Sequence, residues 1–126
     1  AKHVRNFLLK KSKPEIIYLY GSVLTPHFRE DSDIDVAVVF RDKLSELELF
    51  NLRLELEVAI DRDVDLLQFD RASSLLQMEI LKSKRVIYCE DDEQRFEIEA
   101  RAMTDYGFYR QEVGFLIEER YGSHLF

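Results

Sequence analysis

The sequence predicts one α/β (α+β) domain: a small mixed β-sheet of about four strands, covered by helices and ending in a long C-terminal helix. Three observations predict it. Apolar runs of strand length recur at residues 15–20, 33–40, 63–69 and 85–89. Longer Leu- and Glu-rich segments with helix propensity lie between and after them. The link between the first two strands is too short for the helical crossover that parallel neighbours need, so the sheet is expected to be mixed. At 126 residues the chain fits a single domain, 1–126, with one core.

Each element has its own signal. Residues 3–11, HVRNFLLKK, read as a short amphipathic helix that Lys13-Pro14 ends. EIIYLY at 15–20 is the first strand, broken by Gly21-Ser22. Ser22 is a good N-cap for a short helix over 22–29. DIDVAVVF at 33–40 is the second strand. Residues 41–60 read as a helix by length and propensity, although Leu52, Leu54, Leu56, Val58 and Ile60 also alternate with period two. DVDLLQF at 63–69 is the third strand, and 71–84 a helix with Leu75, Met78 and Leu81 or Lys82 along one side. RVIYC at 85–89 is the fourth strand. Residues 90–122 form the long last helix, acidic at its start as the macrodipole prefers and weakened at Gly107 and Gly114. Phe96, Ala100, Met103, Tyr106, Tyr109, Val113 and Leu116 fall on one stripe, expected to pack on the domain. Phe108, Phe115, Ile117 and Tyr121 fall largely off that stripe, an apolar surplus that points to a protein partner.

Composition narrows the function. The net charge of −7 argues against a nucleic-acid surface, which needs clustered Lys and Arg. No apolar run approaches the length of a membrane span, and the start lacks a secretory pattern. The single Cys89 excludes an internal disulfide and a cysteine metal cluster and fits a reducing, cytoplasmic setting. His3, His27 and His124 are scattered.

The chemistry concentrates in LYGSVLTPHFREDSDIDVAVVF, residues 19–40. Asp33 and Asp35 are two apart at a strand start, so their side chains share a face. Unpaired carboxylates so placed repel one another and resist burial. Divalent ions with oxygen ligands, such as Mg²⁺, would relieve them and share those ligands with a substrate phosphate. If the second and third strands are neighbours, Asp65 joins the pair, and three carboxylates around two metal ions suit an in-line phosphoryl-type displacement. Asp63 reads as a solvated neighbour. Gly21 has no Cβ and allows a phosphate close to the backbone. Ser22 offers a hydroxyl and an N–H at a helix start, where anions bind.

Gly-Ser, ten residues, then Asp-x-Asp resembles the signature of the DNA polymerase beta-like nucleotidyltransferases. The chain length and the SDIDVAVVF context look like the minimal nucleotidyltransferases, commonly the antitoxin half of HEPN/MNT toxin–antitoxin modules. The resemblance implies a nucleotidyltransferase fold, ATP as substrate and Mg²⁺, or Mn²⁺, as cofactor. It implies a metal role for Asp33, Asp35 and Asp65, with Asp65 also the general base, and nucleotide binding by Gly21 and Ser22. Where many relatives carry basic residues after Gly-Ser, this chain has Val23, Thr25 and Pro26, and Arg29 is left in that loop as a phosphate clamp. The implied activity moves AMP onto a hydroxyl, a tyrosine in this branch, of a cognate HEPN-type RNase toxin, in a hetero-oligomer. Two alternatives stay open: a stoichiometric antitoxin that acts by contact alone, and a small-molecule nucleotidyltransferase of the aminoglycoside-modifying kind.

Overall fold

The computed structural model describes the backbone of residues 1–21 and 33–121, and side chains through residue 107. Four helices and four strands follow in order: α1 (Lys2–Lys11), β1 (Pro14–Tyr20), β2 (Ile34–Phe40), α2 (Glu46–Ile60), β3 (Val64–Gln68), α3 (Ser74–Ser83), β4 (Arg85–Cys89) and α4 (Asp92–Tyr121). The strands form one sheet in the order β3-β2-β1-β4. β1 runs antiparallel to both β2 and β4, while β2 and β3 are parallel and joined through α2. The mixed sheet expected from the sequence is therefore present. The helix expected over 22–29 lies outside the described residues.

Local chemistry sets the element ends. α2 begins at Glu46, not at residue 41, because Ser45 closes a capping box: its hydroxyl accepts from Glu48 N–H and its own N–H donates to the Glu48 carboxylate, both at 3.1 Å. The preceding Leu44 is held in both directions by the buried Gln68 amide, at 3.0 and 2.9 Å. α3 starts at Ser74 because a 3-10 turn at Phe69–Arg71 intervenes and Ser73 caps the helix, accepting from Leu76 N–H at 3.2 Å. α4 runs unbroken through Gly107 and Gly114.

β1 and β2 are buried on both faces. On one side Ile17, Leu19, Val36 and Val38 pack with Val4 and Leu8 of α1 and Leu52 and Leu56 of α2. On the other, Ile16, Tyr18, Tyr20, Ala37 and Val39 pack with Phe69, with Ile80 and Leu81 of α3, and with Ala102 of α4. The side expected for α3 holds at Met78 and Leu81, which pack inward with Ile80, and is corrected at Leu75, which is exposed.

The stripe expected to bury α4 is also corrected where its side chains are described; those of Tyr109, Val113 and Leu116, and of the off-stripe Phe108, Phe115, Ile117 and Tyr121, lie outside the described residues. Phe96 and Met103 are exposed, and the helix turns Glu99 and Ala102 inward instead. A polar clasp sets this rotation. The buried Glu99 carboxylate accepts from Tyr18 Oη at 2.9 Å, from Arg95 at 3.1 Å and from Lys84 Nζ. Burial pushes Glu99 up, but the hydrogen bonds from Lys84, Tyr18 and Arg95 outweigh it and hold the carboxyl below its ordinary range. The folded state thus favours the ionised form. That stability is present above the ordinary carboxylate range and is lost as pH falls through the depressed value. Glu99→Ala, which leaves Lys84 without its buried partner, is expected to cost about 3 kcal/mol in urea unfolding at pH 7, with the difference from wild type shrinking in acid.

Candidate active site

The parallel register of β2 and β3 sets Asp35 directly beside Asp65. The antiparallel register of β1 and β2 sets Tyr20 on the other side of Asp35. Partners in register share a face, so Asp65, Asp35 and Tyr20 form a row across three strands, on the side covered by α3. Asp33 is exposed and stands just before β2, which begins one residue later than the 33–40 strand the sequence predicts. Asp63 is exposed and outside β3, its backbone carbonyl accepting from Ile34 N–H at 3.0 Å.

Gly21 closes this row from above. Its φ is +72°, a left-handed conformation that glycine adopts without penalty. A Cβ added there would lie 2.4 Å from Asp35 Oδ2. Glycine is thus required twice, by its backbone angle and by the carboxylate seated against it. Ser22 and Arg29 lie outside the described residues.

Electrostatics gives the cluster its character. Partial burial raises the Asp35 carboxyl above its ordinary value, and the nearby Asp65, Asp33 and Glu79 raise it further. The Tyr20 hydroxyl is pushed up by burial, then by Asp65, Asp35 and Glu79. A hard divalent cation beside Asp35 and Asp65 would reverse this by exchanging repulsion for coordination. The donors are all carboxylate oxygens, which is the chemistry Mg²⁺ takes. Among the described residues no three acidic or metal-binding side chains converge on one point.

Sequence reasoning missed two neighbours on α3. Ser83 Oγ accepts from Gly21 N–H at 3.4 Å and donates to the Glu79 carbonyl at 3.2 Å. Glu79, one turn earlier, adds its charge to Asp35 and Tyr20. Their spacing of four was visible in the sequence. Which strand end the helix would meet was not. A hollow of about 390 Å³ is lined by Lys11, Phe40, Leu44 and Leu52 on the α1–α2 side.

The raised Asp35 fixes a pH dependence. Between the unfolded and folded values the folded chain binds the extra proton, so stability falls as pH rises out of the ordinary carboxylate range. Asp35→Asn is expected to remove that slope and, without metal, to raise Tm by roughly 2–5 °C at pH 7 in calorimetric melts. Gly21→Ala should instead destabilise by about 1–3 kcal/mol.

The family model described as polymerase beta, nucleotidyltransferase matches residues 2–93, which include Gly21, Asp33, Asp35 and Asp65. The chain is 33% identical over 92 residues to protein adenylyltransferase MntA of Shewanella oneidensis, a match spanning 72% of this chain and 66% of that protein. The fold superposes on a crystal structure of a toxin–antitoxin with AMP-PNP, with a TM-score of 0.83 and 24% identity over 94% of this chain and 95% of that one. A second neighbour is a tri-AMPylated Shewanella oneidensis HEPN toxin in complex with MNT antitoxin, at a TM-score of 0.79 and 24% identity, covering 94% and 92% of the two chains.

Proposed function

The chain belongs to the polymerase beta nucleotidyltransferase family, and from that premise we propose that it is a protein adenylyltransferase. It moves AMP from ATP to a hydroxyl, a tyrosine, of a cognate HEPN-type RNase toxin in the cytoplasm, releases pyrophosphate, and so acts as the antitoxin. The observation that carries this is the side-by-side register of Asp35 and Asp65 beneath the Gly21 turn. The relative named a protein adenylyltransferase, and the neighbour in which an MNT antitoxin is bound to a tri-AMPylated HEPN toxin, support the acceptor class.

In this reading each residue has a separable task. Asp33, Asp35 and Asp65 would hold two Mg²⁺ ions, which when bound neutralise the triphosphate and orient it for in-line displacement. Gly21 lets the phosphates approach the backbone, and Ser22 and Arg29 hold them. Asp65, exposed at the end of the row, accepts the proton of the attacking hydroxyl. The missing Cβ at Gly21 leaves the space that the Asp35 carboxylate occupies. The domain 1–126 is too small to enclose a macromolecular acceptor beside ATP, so the acceptor must be held by contacts away from the chemistry. α4 is one such element: Phe96 and Met103 lie exposed on it, and it extends beyond the family match. The same exposed residues favour a second reading, an antitoxin that blocks its toxin by contact alone.

One comparison separates the two. Asp33→Asn/Asp35→Asn is expected to bind the toxin as wild type does, to add no AMP by intact-mass spectrometry, and to leave cells unprotected. Asp65→Asn should slow transfer about 10²–10⁴-fold while ATP binding changes far less. Full protection by the Asp33→Asn/Asp35→Asn chain would establish the contact-only antitoxin.

A further inference from the structure

α2 is apolar on two opposite faces. Leu49, Leu52, Leu56 and Ile60 follow the spacing i, i+3, i+7, i+11 and pack into the core beneath the sheet. Leu47, Phe50, Leu54 and Val58 follow the same spacing two residues out of step, about 200° around the helix. This second row faces outward, with exposures of 68%, 49%, 41% and 83%. An open hollow of about 420 Å³, lined by Phe7, Lys11, Leu54, Glu55, Val58 and Ala59, adjoins it. A surface helix normally carries one apolar stripe, and one that is apolar on opposite sides is covered on both.

The charges beside the outer row select what covers it. α2 carries Glu46, Glu48, Glu55 and Glu57 against the single Arg53. That arginine is already engaged, paired with Glu57 at 2.9 Å and stacked over the Phe50 ring at 5.1 Å. Two copies of this chain packed row to row would set these acids against themselves. A protein surface with apolar side chains bordered by Lys and Arg gains on both counts. An RNA-cleaving protein must carry such cations to hold phosphates. We therefore infer that the outer row of α2 is a docking surface for the cationic HEPN-type toxin, an inference that rests on the function proposed above. The row lies across the sheet from Asp35 and Asp65, so a toxin surface seated there leaves the candidate active site open.

The test is calorimetric titration into the purified cognate HEPN-type toxin with no ATP present, so that no AMP is transferred. Leu47→Glu/Val58→Glu alters the two most exposed members of the row and should melt as wild type does. It is expected to bind at least about 30-fold more weakly, while Asp33→Asn/Asp35→Asn binds normally. Glu46→Lys/Glu55→Lys should also bind more weakly and with a shallower salt dependence; tighter binding by that chain would overturn a cationic partner. If wild type binds and Leu47→Glu/Val58→Glu binds equally well, the docking surface is wrong and the proposed function stands. If wild type does not bind the toxin, the proposed function falls and the surface assignment falls with it. Sedimentation of the chain alone supplies a further overturning result: a dimer that Leu47→Glu/Val58→Glu converts to monomer would give the row to a second copy.

Discussion

Two carboxylates held side by side are the constraint around which this fold is arranged. Asp35 and Asp65 occupy matched positions on neighbouring parallel strands, with Asp33 and Glu79 close enough to raise Asp35 further. Left to itself, such a cluster would spread apart. It persists because the strands beneath it are fixed by burial on both faces and by the α2 crossover that makes β2 and β3 parallel, while Gly21, lacking a Cβ, leaves room for Asp35 Oδ2. The row sits at the strand ends, where the core gives way to solvent: Tyr20 is buried, Asp35 half-buried and Asp65 exposed. Like charges kept together by structure are poised to be neutralised from outside, which is the electrostatic condition for binding metal and nucleotide jointly.

The second fixed point is polar and buried. Tyr18, Lys84, Arg95 and Glu99 join β1, the α3–β4 junction and α4 in one network. It orients α4 more strongly than the apolar periodicity of that helix. A long helix with aromatic residues around its circumference has several possible inward faces, and hydrophobicity alone does not choose among them. Here one carboxylate with three donors does, and the outcome leaves Phe96 and Met103 outside.

Much of this was legible in the sequence, for identifiable reasons. Strands were marked by β-branched runs between turn residues, so their order and the mixed sheet followed from 15–20, 33–40, 63–69 and 85–89. Asp33, Asp35, Asp65 and Gly21 were legible because acids at strand starts beside a Gly-Ser turn are costly unless they serve chemistry. Helix starts were less so: Ser45 and Ser73 move α2 and α3 inward by several residues, since a cap outweighs the propensity of the residues before it. The place of Leu75 on α3 and the described face of α4 were misjudged because they depend on long-range partners, Phe69 and Tyr18, that no local pattern encodes. Ser83 and Glu79 were missed for the same reason. They reach the site only because α3 brings its last turns against the end of β1.

The period-two alternation in α2 has a physical meaning that a choice between helix and strand conceals. Leu52, Leu54, Leu56, Val58 and Ile60 read like a strand because two helical stripes half a turn apart interleave as every second residue. Capping and propensity decide the backbone, and the surplus apolar residues then have no place in a core that Leu52, Leu56 and Ile60 already fill. Folding of this chain alone gains nothing from Val58 at 83% exposure. In the docking surface inferred above, Val58 is buried with Leu47, Phe50 and Leu54 on association. The sheet thereby divides the molecule: the carboxylates, the glycine turn and α4 lie on one side, and on the other an apolar row bordered by acid.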